Sequence, residues 1–412
     1  MNFFWVIFLL GFRGHGMTLS LKECLDRART RSLQSVQGTL LETQSAALRD
    51  EAHRARFPQL VGVANYEKSD DTKTQLPDAN KAVVRLEQTA FPYSSSWIRT
   101  SQLEADLRAA HFTHLEIQAD VDLLVQQLYF SILRAQDAIE RLTQVEEQLN
   151  HLLNAVIPRY SVGRSPPFDQ IKIKTSIADL ARTREIARAE RIGELAQLSQ
   201  VLGLTEPNNL ELRPIEGLPR IAPRESASNE ALGNPTLLAL EQQSYASEFG
   251  VRAARYNRWP LLVAALEYGY AGQTSDELSR GWSFTVGLRL PLFDWGVISS
   301  QIQSASALAA LAQNKFSIEK QKESADLAGF QALAAAHLSD HSRLRGLIVE
   351  SHRAALLSLD RYKRGAVSIL EASEAVNLWI QTLLNERTAF YAYLSVLGKM
   401  ARLRGSTEFE SL

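Results

Sequence analysis

The chain carries one pattern twice, and any fold it adopts has to accommodate both copies. Ala55-Arg56-Phe57-Pro58-Gln59-Leu60-Val61 returns as Asn257-Arg258-Trp259-Pro260-Leu261-Leu262-Val263, and Arg159-Tyr160-Ser161-Val162-Gly163 returns as Arg361-Tyr362-Lys363-Arg364-Gly365, both at an offset of 202 residues. Gly203 and Gly405 keep that offset, each closing a long helical pattern. Between these anchors Pro92 and Ser101-Gln102 match Pro291 and Ser300-Gln301 at an offset of 199, which implies a difference of three residues inside the strand region. A duplication on this scale means two copies of one supersecondary unit rather than a row of unrelated domains.

Each copy reads as helix, strand, strand, long helix, turn, helix. The first helix is expected over residues 19–56 and its counterpart over 229–258, each stopped by the proline that follows. Strands are expected near 59–67, 81–90, 261–271 and 281–290, each about the length that crosses a bilayer when tilted. The last of them puts Trp282, Phe284, Val286, Leu288 and Leu290 on one face and Ser283, Thr285, Gly287 and Arg289 on the other. Apolar residues out and polar residues in is the pattern of a membrane barrel wall, although a half-buried soluble sheet alternates in the same way.

Long helices fill most of what remains. Ile132, Ala135, Ile139, Leu142, Val145, Leu149, Leu152 and Val156 recur at steps of three and four, the seam of a helix packed along its length, expected over residues 97–160. At 1.5 Å per residue such a helix runs roughly 90 Å, beyond the width of a compact domain. The stretch 205–228 holds Pro207, Pro214, Pro219 and Pro223 and reads as a linker. The expected organisation is a possible signal peptide over 1–17, a first repeat over 18–204, the linker, a second repeat over 229–405 and a tail over 406–412.

The totals exclude several classes of function. Lys plus Arg number 45 against 46 Asp plus Glu, so the chain lacks the positive surplus of a nucleic-acid binder. Cys24 is single and can form neither an internal disulfide nor a zinc site of the CxxC kind. His337 and His341 have metal-binding spacing without a third ligand nearby, and together with His111 and His114 they read as solvated helix positions. No nucleophile or carboxylate pair has the partners that catalysis requires, and neither a cofactor nor a metal is expected. The apolar run Phe3-Phe4-Trp5-Val6-Ile7-Phe8-Leu9-Leu10 is too short to span a bilayer, which needs about 20 residues, and suits the core of a signal peptide. A membrane location would therefore have to be built from strands.

Four short strands cannot close a barrel, since the smallest membrane barrels need about 8. Several copies would have to contribute strands to one wall, and the apolar helix seams likewise exceed what a single helix pair can bury. The order of elements, the duplication, the stretch Leu288-Arg289-Leu290-Pro291-Leu292-Phe293-Asp294-Trp295-Gly296 and the two Arg-Tyr-x-x-Gly turns resemble the TolC-type outer-membrane efflux and secretion channels over about residues 18–405. The resemblance implies a mainly α fold with short β-strands, in which three copies share an α-helical barrel continued by a twelve-stranded transmembrane β-barrel. It further implies a passive outer-membrane channel of a tripartite efflux pump or type I secretion system, extending into the periplasm of a Gram-negative-type bacterium. Its partners would be a periplasmic adaptor protein and an inner-membrane transporter. The alternative is a soluble periplasmic coiled-coil scaffold or transporter adaptor, but adaptors carry one helical hairpin, and this chain has two.

Taken as residues alone, Gly163 and Gly365 suit positive-φ helix ends where the chain reverses. The resemblance makes these turns a periplasmic tip that contacts the adaptor through Val162, Gly163, Arg164 and Ser165 and through Gly365, Ala366, Val367 and Ser368. Just beyond lie Asp169, Glu371 and Glu374, the last two on one helix face. A solvated surface would also carry these carboxylates; the resemblance implies that they ring the entrance. Trp282, Phe284, Val286 and Leu288 are expected to face lipid. Pro166-Pro167 departs from the family pattern at the first tip.

Overall fold

The computed structural model describes residues 17–66, 80–89, 95–161, 166–204, 210–215, 217, 233–272 and 278–405. The expected signal peptide up to residue 16, most of the linker, the tail and the first tip, Val162–Ser165, lie outside these residues, while Met17 already belongs to a strand. The elements are β1 (Met17–Leu19), α1 (Leu21–Arg31), α2 (Leu33–Arg54), β2 (Gln59–Asn65), β3 (Asn80–Thr89), α3 (Ser95–Ser161), α4 (Pro167–Val201), β4 (Leu210–Leu212), α5 (Pro235–Tyr256), β5 (Leu261–Gly272), β6 (Ser279–Arg289), α6 (Val297–Lys363) and α7 (Ile369–Arg404). The duplication holds in three dimensions. Helices α2 and α5 are both 22 residues long, α3 and α6 both 67, and each pair starts 202 residues apart. The hairpins keep this offset too, Gln59 lying opposite Glu87 as Leu261 lies opposite Arg289, and so do the first residues of α3 and α6; Ser101-Gln102 and Ser300-Gln301 are therefore not structural equivalents, and the expected difference of three residues is absent from the strand pairing.

The expected first helix is two helices. Ser20 opens α1 with a capping box, accepting from the Glu23 N–H while its own N–H donates to the Glu23 carboxylate. Ser32, in extended conformation, ends α1, and its hydroxyl accepts from the Ser35 N–H at 3.1 Å to begin α2. The periodic apolar pattern runs through this break, so periodicity alone did not reveal it. Two three-residue strands were also missed: β1 pairs parallel with β4. The buried Tyr129 hydroxyl fastens them by donating to the Arg213 carbonyl at 2.6 Å.

The described residues form two compact units, each drawing on both repeats. The first holds residues up to 36, 117–234 and from 322 onward. Its helices pack in two apolar clusters. One gathers α1, β1 and β4 with Val121, Val125, Phe130 and Leu394; the other gathers Leu142, Val145, Leu149, Leu152 and Val156 of α3 with Ile173 of α4 and Val376 and Trp379 of α7. These are the seam residues expected from the three-four spacing, and each fully buried Leu contributes about 1.5–3 kcal/mol. Cys24 lies in the first cluster, and burial pushes its thiol up to about 12.

The second unit, residues 37–116 and 235–321, contains one antiparallel sheet in the order β2-β3-β5-β6. The two hairpins are joined by β3 and β5, with Arg85 opposite Glu267 and Leu86 opposite Leu266. In this register Leu60, Val84, Leu86, Leu266, Tyr268, Trp282, Phe284, Val286 and Leu288 share one face. The other carries Lys81, Arg85, Glu87, Glu267, Ser283, Thr285 and Arg289, with Arg85 and Lys81 both paired to Glu267.

Candidate channel wall and entrance

Over β6 the sheet is apolar on one face and polar on the other; over β2, β3 and β5 the second face mixes the charged group Lys81, Arg85, Glu87 and Glu267 with Val61, Val63, Val83, Leu261 and Val263, and among the described residues the sheet is not closed. Trp282, Phe284, Val286 and Leu288 are all exposed, and so is the rest of β6, because β6 is an edge strand. Strands β2 and β6 run in opposite senses, as two ends of an antiparallel sheet must if the same edges are to meet between copies. No described helix is long and apolar enough to cross a membrane.

Strand β6 passes into α6 through Leu290-Pro291-Leu292-Phe293-Asp294-Trp295-Gly296. Asp294 builds the helix start: its carboxylate accepts from the N–H groups of Gly296 at 3.0 Å and Ile298 at 2.8 Å. These donors, Ile298 foremost, hold the Asp294 carboxyl below its ordinary range. Within the same turn Trp295 takes φ 52° and Gly296 φ 85°.

At the opposite ends of the long helices, α6 reverses into α7 at Gly365. Its N–H donates to the Tyr362 carbonyl and that of Ala366 to the Arg361 carbonyl, both at 2.9 Å, with Gly365 at φ 79°. This is a Schellman turn in which glycine carries the left-handed residue, as its position in the repeat predicts. Ser368 then caps α7 by accepting from the Glu371 N–H. Gly365, Ala366 and Ser368 are exposed and Val367 is half-buried.

The three carboxylates expected near the entrance differ in setting. Glu371 and Glu374 are exposed in the first turns of α7. Asp169 is buried at the start of α4 and accepts a 2.5 Å hydrogen bond from the buried Tyr362 hydroxyl. Asp169 and Glu371 are equivalent positions of the two repeats, so the duplication has placed one inside and the other outside. The Tyr362–Asp169 contact had no signal in the sequence, since its partners lie 193 residues apart.

Two histidines expected on solvated faces are buried instead. His341 is 4% exposed, with Nδ1 3.3 Å from the Glu386 carboxylate; Arg387 and Arg141 lie near the same carboxylate. His114 lies against Gly38, a position where any added Cβ would meet the imidazole. Both rings pack between helices, so their sequence spacing reflects helix contact rather than a ligand set. Among the described residues no group of three or more His, Cys, Asp or Glu side chains could hold a metal ion.

Duplicated helical hairpins and an open antiparallel sheet are the elements that a membrane-channel subunit completed by further copies would need. Residues 227–406 match the outer membrane efflux protein family. The chain is 25% identical over 337 residues to the outer membrane protein TolC of Vibrio cholerae, covering 78% of this chain and 72% of that one. It is 26% identical over 282 residues to the multidrug resistance outer membrane protein MdtP of Shigella flexneri, covering 65% of this chain and 57% of that one. Its fold superposes on the outer-membrane channel OprN with a TM-score of 0.85 at 16% identity, over 94% of this chain and 90% of that one. Over its second half the chain thus resembles the outer membrane efflux proteins, and its fold is that of solved outer-membrane channels.

Proposed function

We propose that three copies of this chain form a passive duct, with a twelve-stranded barrel in the outer membrane and a helical tunnel leading into the periplasm. A periplasmic adaptor and an inner-membrane transporter supply selection and energy, in drug efflux or in type I secretion. The observation that carries this reading is the sheet, whose strand β6 sorts into one apolar and one polar face and whose outer strands β2 and β6 leave both edges open among the described residues. In lipid an open edge leaves backbone groups unsatisfied at several kcal/mol each. Antiparallel edges let β6 of one copy pair with β2 of the next, and three copies close the ring.

At the other end, Gly365 to Ser368, together with the first tip at Val162 to Ser165, form the surface offered to the adaptor. Glu371 and Glu374 line the mouth, and Asp169 supports it from inside through Tyr362. The test is a crosslink across the sheet edges. Within one chain β2 and β6 lie three strand spacings apart, about 14 Å. With Gln59→Cys and Arg289→Cys in a Cys24→Ser background, a bismaleimide shorter than that span should join copies into a covalent trimer in mild detergent. Exclusive recovery of monomers from detergent-solubilised membranes would overturn the shared barrel.

A further inference from the structure

The duplication contains the template of a contact that one chain cannot make with itself. Within each repeat the first helix packs antiparallel on the long one at the same level: Glu42 meets His111 at 2.9 Å, and 202 residues further on Ser244 donates to Gln313 at 2.8 Å. Helix α5 has a second neighbour, the α3 of the other repeat. Arg108 donates to Gln242 at 2.8 Å, Thr236 donates to Glu116 at 2.9 Å, and Gly250 lies against Gln102. Moved on by one repeat, that junction would set α6 against the first helix of a third repeat, which the chain does not have. The α2 of a second copy is such a helix.

Burial marks the two faces left open. Ala105 and Ala109 of α3 are 0% and 3% exposed, whereas their equivalents on α6, Ala307 and Leu311, are both exposed, Leu311 by 56%. Each long helix is covered by the first helix of its own repeat, so the difference comes from the neighbour that α3 has and α6 lacks. Likewise Ala239 and Ala246 of α5 are buried, while the equivalent Gln37 and Gln44 of α2 are exposed, together with Leu40 and Leu48 at 63% and 42%. A step of 202 residues turns the bonded pair Arg108 and Gln242 into Ala310 and Leu40, and Ala109 into Leu311. Two exposed leucines thus fall at one level on helices that the template brings face to face, and an antiparallel contact takes both out of water. The contact is continuous with the sheet edges, since α2 leads into β2 and α6 follows β6.

We propose that α6 of one copy seats antiparallel on the Gln37–Leu48 face of α2 of the next, in the register of the internal α3–α5 junction, with Leu311 against Leu40. This rests on the three-copy reading and gives its helical part a register. The ring then has two kinds of seam. Inside a chain the seam is lined by alanines and Gly250 and tied by hydrogen bonds; between copies it is filled by leucine. Helix axes approach more closely where the contact residues are small, so the spacing of helices alternates around the tunnel.

The experiment uses the full chain in a Cys24→Ser background, extracted from membranes in mild detergent. Leu40→Cys combined with Leu311→Cys should form a disulfide between copies on mild oxidation and yield covalent trimers. Leu40→Cys combined with Ile318→Cys, about 10 Å further along α6, should yield about tenfold less. An equal or greater yield from the second pair overturns the register. So does the absence of both products from a sample that the edge crosslink at Gln59 and Arg289 converts to trimers, and the three-copy reading then stands. If the edge crosslink fails as well, both readings fall. Single substitutions give a second measure that leaves the facing leucine in place. Leu40→Cys should react with a maleimide about tenfold more slowly in the assembled protein than Thr43→Cys, which is exposed on the same helix away from this face. Equal rates at the two positions would leave the α2 face uncovered and overturn the seam.

Discussion

Tyr362 and Asp169 show what one hydroxyl can do in a helical hairpin. Both side chains are buried, and their hydrogen bond joins the last turn of α6 to the first turn of α4. Removing one partner of a buried hydrogen bond costs about 1–3 kcal/mol. Tyr362→Phe, which keeps the ring and its packing, should lower the unfolding free energy by about that amount, and amide exchange should rise at the start of α4 before it rises elsewhere. A melting curve and exchange profile identical to the parent would show that the contact contributes nothing. The equivalent tyrosine, Tyr160, is exposed, so the same motif residue has a structural task in one repeat and none of this kind in the other.

At the scale of elements, the sheet gives the sharper test. Phe284 and Thr285 are neighbours on β6 but point to opposite faces. Phe284→Arg should block membrane assembly, at a cost of about 2–4 kcal/mol near the bilayer midplane, whereas Thr285→Arg, on the polar face, should assemble normally. Heat-resistant oligomer in outer-membrane fractions is the readout, and equal damage from both substitutions would indicate a sheet buried on two sides. Strand β6 and the long helices were legible in the sequence because each presents a continuous amphipathic period, and the proline after each first-half helix marks its end. The break at Ser32 was not legible, because a serine inside an amphipathic run looks like any exposed polar position until its hydroxyl caps the next helix. The burial of His341 escaped for a related reason: its carboxylate partner Glu386 lies on another helix, 45 residues away. The turn at Trp295 could have been suspected from Asp-Trp-Gly after an alternating strand, since Asp caps and Gly turns, but the sequence does not tell which residue takes the left-handed angle.

For the molecule as a whole, the open edges of the sheet and the exposed carboxylates at the start of α7 combine into a statement about ions. Around a threefold axis Glu371 and Glu374 would each appear three times, and their field would reach about 8 Å at physiological salt. The double substitution to Ala should reduce cation selectivity and weaken block by multivalent cations in planar-bilayer recordings, with trimer yield unchanged. Reversal potentials equal to the parent's at low salt would instead place these glutamates on an outer face.

The way β3 pairs with β5 has a consequence for the symmetry of such a wall. That internal junction is antiparallel, just as the proposed junction of β6 with the β2 of a neighbour would be, so the sheet does not distinguish a boundary between repeats from a boundary between chains. A half-length chain with one hairpin would present the same two edges, and six of them would complete the ring that three copies complete in the proposed assembly. In the proposed trimer, two hairpins joined in one chain lower the symmetry from sixfold to threefold and leave equivalent positions free to differ. Asp169 is buried while the equivalent Glu371 is exposed, an asymmetry that no assembly of six identical repeats could hold.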